Sequence, residues 1–363
     1  MIWSRGLIAV LGISLAELGM SLSDLPNPAA AAEMINNFRK RFSTKVCMAP
    51  HVDHEGVIVS AHTLSVESML RKISVDAHVY TPRQARTFSS ATFPIEIQKR
   101  GLREVSVFNG FCQKHDRELF ACLETEPFRF TQQQNFMLAY RATARECYLK
   151  RKLYETLPTA QQYGAIHGID EPLELSEAAL VFQAATLSGV EDVETLKAKL
   201  DHHLLNQSWN RIVTHAIVFS KTPSILAAAA FQPFYDMNGA KLQAFDDLNV
   251  EMSQVCMSLV PLEVGGAAIF SWLDTSNSAP QRFFESVAKG KKLTSAVIHA
   301  VLDNTENVAF NPSWYDQLSD DQSAYVFSRM MLFETSETYS GTARADEVAP
   351  LLDDWGQGVE ARF

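Results

Sequence analysis

The sequence predicts an α+β fold, and three observations carry that prediction. Apolar residues recur at helical spacing over residues 132–157. From Ile212 onward the pattern changes to short β-branched and aromatic runs bounded by turn residues. Ahead of both, cysteines and histidines concentrate, with five of the ten histidines lying between positions 51 and 115.

Taken in order, residues 7–22 are apolar. Leu7, Leu11, Leu15, Leu18 and Leu22 form one helical stripe, and Ser14, Glu17, Ser21 and Asp24 fall on another side. An amphipathic helix packed on the body is preferred to a secretory signal, because Glu17 interrupts the run and the stretch is too short to span a bilayer. Pro26 and Pro28 end it, and a second helix is expected over residues 29–42. A strand at 57–62, a short helix at 66–74 and a strand at 78–80 follow. Residues 82–107 offer few signals and read as an excursion over the preceding segment. The long helix stops at Pro158. A further helical stretch covers residues 175–206, with a break near Ser188 and Gly189. Strands are expected at 212–219, 225–231, 241–245, 254–261 and 267–272, with Gly265 and Gly266 as a hairpin signal. Helices at 280–289, 293–302 and 321–333 complete an antiparallel sheet with helices on one face. Residues beyond 340 read as a loosely held tail. The expected segments are 1–46, 47–130, 131–208, 209–340 and 341–363.

Composition sets limits on function. Hydrophobic residues make up 47% and charged residues 20%, which is ordinary for a globular chain and excludes a disordered or low-complexity protein. The net charge of −10 excludes a chain that is basic throughout. Residues 36–155 nevertheless hold 19 Lys and Arg against 12 Asp and Glu, while the remainder holds 13 against 30. A basic segment joined to an acidic one hints at a polyanionic partner for the former. Five widely spaced cysteines do not make a disulfide framework, and free thiols point to a reducing, cytoplasmic setting. The chain lacks a Walker A loop, a G-x-S-x-G elbow and a G-x-G-x-x-G fingerprint.

Zinc takes four thiolate or imidazole ligands in a tetrahedron, and structural sites offer them as two close pairs. Cys112 and His115, spaced C-x2-H, stand where a loop turns into a helix, so both can face one point. Cys47 and His54 form a looser C-x6-H pair. His51 is the competing ligand; His54 is preferred because Gly56 follows it, as a tight knuckle before a strand requires. Cys122, Cys147 and Cys256 read as small buried hydrophobes.

The order of these parts resembles a treble-clef zinc finger, and more narrowly the HNH, or ββα-metal, nuclease-like fingers. The likeness rests on the pair Cys47 and His54, on the run Ile58-Val59-Ser60-Ala61-His62-Thr63-Leu64-Ser65, and on Phe108-Asn109-Gly110-Phe111-Cys112-Gln113-Lys114-His115-Asp116. It is confined to residues 47–116. It also resembles uncharacterised bacterial proteins associated with phage defence. The resemblance implies a structural zinc, His62 as the general base that activates water, and a Mg²⁺ or Mn²⁺ ion at the leaving oxygen. Two departures stand out. Ala61 occupies the position before His62, where these enzymes commonly carry an acidic ligand. No Asn-then-His pair follows on the helix, and Asn109, Asp116 and Glu118 are the substitutes at hand.

Arg141, Arg145, Lys150, Arg151 and Lys152 give the long helix a basic side. With Arg39, Lys40 and Arg41, they are the candidate phosphate contacts. The expectation is therefore a zinc-finger protein that binds nucleic acid and cuts it through His62, with no membrane span. The alternative is a non-catalytic, zinc-stapled scaffold whose C-terminal half binds a protein or small-molecule partner. The aromatic-rich segments 268–272 and 306–315 would line such a pocket.

Overall fold

The computed structural model describes residues 27–84, 95–157, 177–243, 251–275, 277–331 and 352–363. The helix expected at 7–22 lies outside them. Helix α1 (Pro28–Phe42) begins where the Asn27 side chain accepts the Ala30 N–H at 3.2 Å and Pro28 supplies a preset φ. Strand β1 (Ile58–His62) pairs antiparallel with β4 (Val107–Cys112), and the register shifts between Val59 and Ala61. Between them lie a π-type turn, Val66–Leu70, and the hairpin of β2 (His78–Gln84) and β3 (Ile95–Gly101). Helix α2 (Gln113–Leu119) leaves β4 without a linker. The long helices α3 (Gln132–Tyr154) and α4 (Glu177–Leu205) follow, and Thr131 caps α3 by accepting the Gln134 N–H at 3.2 Å.

The second half supplies β5 (Ile212–Phe219), β6 (Ile225–Phe231), β7 (Val255–Pro261), β8 (Gly266–Leu273), α5 (Ala279–Ala288), α6 (Leu293–Asn304), β9 (Val308–Phe310), α7 (Asp320–Met331) and β10 (Gly358–Arg362). An eight-stranded antiparallel sheet runs in the order β10-β5-β8-β7-β6-β9-β2-β3. The hairpin from the cysteine- and histidine-rich segment thus extends the main sheet, through Tyr80 opposite Phe310.

Helices cover both faces of this sheet, where one covered face was expected. Along β6, Leu226, Ala228 and Ala230 join the core under α3 and the β1–β4 ribbon. Ile225, Ala227, Ala229 and Phe231 face the core under α5 and α6. A strand buried on both sides shows no polar alternation, so its sequence does not tell how many faces are covered. Three further differences have local causes. The 82–107 stretch contains β3, whose alternating Ile95, Ile97 and charged residues form a sheet edge. Helix α4 runs through Gly189 without a break, and a β-carbon there would meet only the flexible Lys150 side chain, at 3.5 Å. The tail is anchored over 352–363, where β10 pairs with β5 from Gly358–Phe219 to Arg362–His215 and Trp355 is 1% exposed. Of the strand expected at 241–245, residues 241–243 show an isolated bridge from Lys241 to Tyr235. No helix among the described residues is long and apolar enough to cross a membrane.

Candidate metal centre

The β1–β4 ribbon brings together, through the backbone, the loops that carry the two cysteine–histidine pairs. The Val46 N–H donates to the Asn109 carbonyl at 3.1 Å and the Met48 N–H to the Gly110 carbonyl at 2.8 Å. The loop then turns at Gly56, whose φ of +74° favours glycine, and a β-carbon there would lie 3.0 Å from the Gln113 side chain. The Gln113 N–H closes the knuckle on the Val57 carbonyl at 2.9 Å. Cys47, His54, Cys112 and His115 converge as a result, with one ligand atom from each lying within 4.8 Å of all the others.

The details fit a tetrahedral ion. A tetrahedron with bonds of about 2.0–2.3 Å has edges of about 3.3–3.8 Å. Nδ1 of His115 lies 3.4 Å from Sγ of both Cys47 and Cys112. Its other nitrogen, Nε2, lies 3.4 Å from Oδ1 of Asp53. This carboxylate–histidine arrangement fixes the ring and leaves Nδ1 for a metal. Asp53 is held in turn by Lys114 at 2.5 Å, a contact that lowers its carboxyl to about 2 and keeps it an acceptor. The Cys112 N–H reaches Sγ of Cys47 at 3.4 Å. Burial pushes both thiols up. At Cys112 the backbone N–H groups of His115, Glu55 and Lys114, with the Cys47 thiol, more than offset it; Cys47 stays raised. One thiol is thereby prepared to ionise first, and a metal would deprotonate both. His51 stacks near His115, with ring centroids 5.4 Å apart, but is not one of the four converging residues. Asp53 was not singled out from sequence; its signal was an acidic residue beside His54.

His62 ends β1 on the far side of the ribbon's bulge. Burial and then the Arg141 charge lower its pKa, partly opposed by Glu124 and by the carbonyls of Leu102 and Arg103. Its Nε2 has no hydrogen-bond partner. Arg141 is 2% exposed, pairs with Glu124 at 2.8 Å and stacks 4.1 Å above the Phe120 ring. Glu124 also accepts the Ser65 hydroxyl at 2.5 Å. Asp116 lies in the same field: burial raises it, Arg141 lowers it and Glu124 raises it, and its Oδ1 is sealed without a partner. Asn109 is spent on the Ser43 carbonyl, and Glu118 is exposed beside Arg117. His78 is exposed and bonded to the Asp76 carbonyl.

The five basic residues of α3 do not share one exposed side. Arg141 is buried, and the Nε of Arg145 is sealed from solvent. Arg151 pairs with Glu194 on α4, Lys152 with Glu155, and Lys150 lies against Gly189. A helix packed between a sheet and α4 must turn some of its cations inward, and residues 150, 151 and 152 point to different sides. Lys40 and Arg41 on α1 are exposed.

All five cysteines are free thiols, and burial raises Cys122, Cys147 and Cys256 to about 11. Comparison with family models, with curated proteins and with solved structures gives no match. The group Cys47, His54, Cys112 and His115 can hold a metal ion, and its donors suit zinc.

Proposed function

We propose that the chain carries a structural zinc at Cys47, His54, Cys112 and His115 and uses the module so formed to bind and hydrolyse nucleic acid, with His62 as general base. The observation that supports this is the state of His62. Carbonyls address one side of its ring while Nε2 remains without a partner, and its lowered pKa keeps the ring neutral at pH 7. A neutral imidazole with an unpartnered nitrogen can take a proton once water or substrate reaches it, and in the structure that nitrogen is sealed from solvent. The charges of Arg141 and Glu124 act both on His62 and on Asp116. Among the described residues, the cysteine–histidine group is the one set of three or more such ligands that converges. Among the described residues, the Mg²⁺-type site implied by the resemblance therefore has no such ligand set beside His62. Defence against phage is the setting the same resemblance suggests.

The test is hydrolysis of DNA and RNA with Mg²⁺ or Mn²⁺ added. His62→Ala is expected to abolish cutting while leaving zinc content and unfolding unchanged; cutting that survives removes His62 from the chemistry. Binding should weaken steeply with salt. A second reading, the non-catalytic scaffold, is favoured by the burial of Arg141 in its pair with Glu124. It predicts neither cutting nor salt-dependent binding.

A further inference from the structure

The geometry points to a second site, separate from the cysteine knuckle and from His62, at which Arg83, Arg100 and Arg145 bind the phosphoryl group of a ligand. The strand register sets it up. In the β2–β3 hairpin Val79 lies opposite Arg100, Thr81 opposite Gln98, and Arg83 opposite Glu96. Opposed residues share a face, as do alternate residues along a strand, so Arg83 and Arg100 lie on the face of Val79. Val79 is fully buried in the core beneath α3. The two arginines therefore look inward, and Arg145 on α3 comes within electrostatic range of Arg83.

Two guanidinium groups thus share one face of the hairpin, and a third, on α3, lies within electrostatic range of Arg83. Arg100 uses its terminal nitrogens on Gln98 and on Glu104, the latter at 3.5 Å, while its Nε is sealed without a partner. The Nε of Arg145 is sealed in the same way. Glu104 lies within electrostatic range of Arg83, and Glu146 and Glu306 within range of Arg145. Among the described residues, no ion pair joins Glu104 to Arg83 or Glu146 to Arg145. Burial first, and then the neighbouring arginine, hold Arg83 and Arg145 below the usual guanidinium range. Both are still charged at neutral pH. Like charges placed together out of water weaken a fold unless an anion answers them. A phosphoryl group presents oxygens in a tetrahedron to three forks arriving from three directions, whereas a carboxylate presents two in a plane. The Arg100 and Glu104 side chains, 19% and 60% exposed, mark the way in.

The experiment uses the full chain and inorganic phosphate, against chloride at matched ionic strength. Phosphate is expected to raise Tm saturably. Arg83→Gln and Arg145→Gln should each weaken phosphate affinity at least tenfold while leaving the phosphate-free Tm unchanged or higher, since each removes a like charge. Arginines that merely support the fold would do the reverse, lowering the phosphate-free Tm and sparing the phosphate increment, and that result overturns the proposal. So does a wild-type chain with no phosphate-specific increment. Arg100→Gln is the further variant should either of the others fail to fold. Competition separates the sources. Displacement by a single-stranded oligonucleotide without terminal phosphates assigns the site to a nucleic-acid backbone. Displacement by a mononucleotide alone assigns it to a phosphorylated small molecule. Displacement by neither contradicts a phosphoryl ligand.

Discussion

Replacing Lys197 by methionine should loosen the metal knuckle from the opposite side of the core. Lys197 is buried on α4, where Nζ donates to the Met48 carbonyl at 2.8 Å and to Asp201 at 2.5 Å and lies 4.7 Å above the Tyr140 ring. Met48 follows Cys47, one of the four converging residues, so this ammonium fixes the backbone that positions its Sγ. The substitution removes a hydrogen bond to a charged group, about 1.5–3 kcal/mol, and orphans a buried carbonyl, about 1–3 kcal/mol. Asp201 keeps the Tyr140 hydroxyl at 2.8 Å and 24% side-chain exposure, which places its share near the lower bound. The expected loss is about 3 kcal/mol. Asp201→Asn should cost more, about 3–5 kcal/mol, because it leaves the Lys197 charge buried. Burial lowers the Lys197 pKa, so between that value and the ordinary lysine range the unfolded chain binds more protons and stability rises with pH. In Asp201→Asn the loss should therefore shrink as pH approaches 10. The double variant Lys197→Met with Asp201→Leu should cost less than the two single changes together. Urea unfolding reads the stabilities, and competition with a chelator reads zinc affinity, which should fall about tenfold in Lys197→Met. Additive losses, or a destabilised protein with unaltered zinc affinity, would refute the coupling.

Alkylation at pH 8 should leave all five cysteines intact in the metal-loaded protein, whereas chelator treatment should expose Cys47 and Cys112 alone. Cys122, Cys147 and Cys256 are held near 11 by burial, and peptide mapping showing any of them modified alongside the pair would contradict this. Arg141→Met should raise the pKa of His62, since the removed charge disfavours the imidazolium, and should cost about 3 kcal/mol by leaving Glu124 unpaired; an NMR titration in which His62 does not move would count against their proximity. Trp355→Ala should destabilise by about 3–5 kcal/mol in thermal or denaturant unfolding, because Trp355 packs edge-on to Phe219 in the core at 5.2 Å. A change below about 1 kcal/mol would mean the C-terminal strand is not part of the folded unit.

The converging group of Cys47, His54, Cys112 and His115 was legible in the sequence because zinc chemistry limits donors to a few residue types, and a helix start after Cys112 confines His115 to one side. Gly56 carried the expectation of a tight turn after His54, and its φ of +74° is that turn. The long helices and the strands β5, β6, β7 and β8 were legible from period alone. The inward turn of Arg141 was not: a helix between two layers presents charges that look solvated until a partner, here Glu124, arrives from another segment. Strand β10 was equally hidden, since five residues with two charged side chains make a strand only when β5 offers an edge. The surroundings of Asp53, Lys197, Arg83 and Arg145 come from segments tens to hundreds of positions away, and single-residue patterns do not encode these.

The most direct test is the metal itself. Purified protein should contain one equivalent of zinc, and cobalt substitution should give the intense visible bands of a tetrahedral site with thiolate ligands. Cys112→Ser and His115→Ala should each lose the metal, while His51→Ala should keep it. Zinc content unchanged in both ligand variants, or equally lost in His51→Ala, would contradict a site built from Cys47, His54, Cys112 and His115.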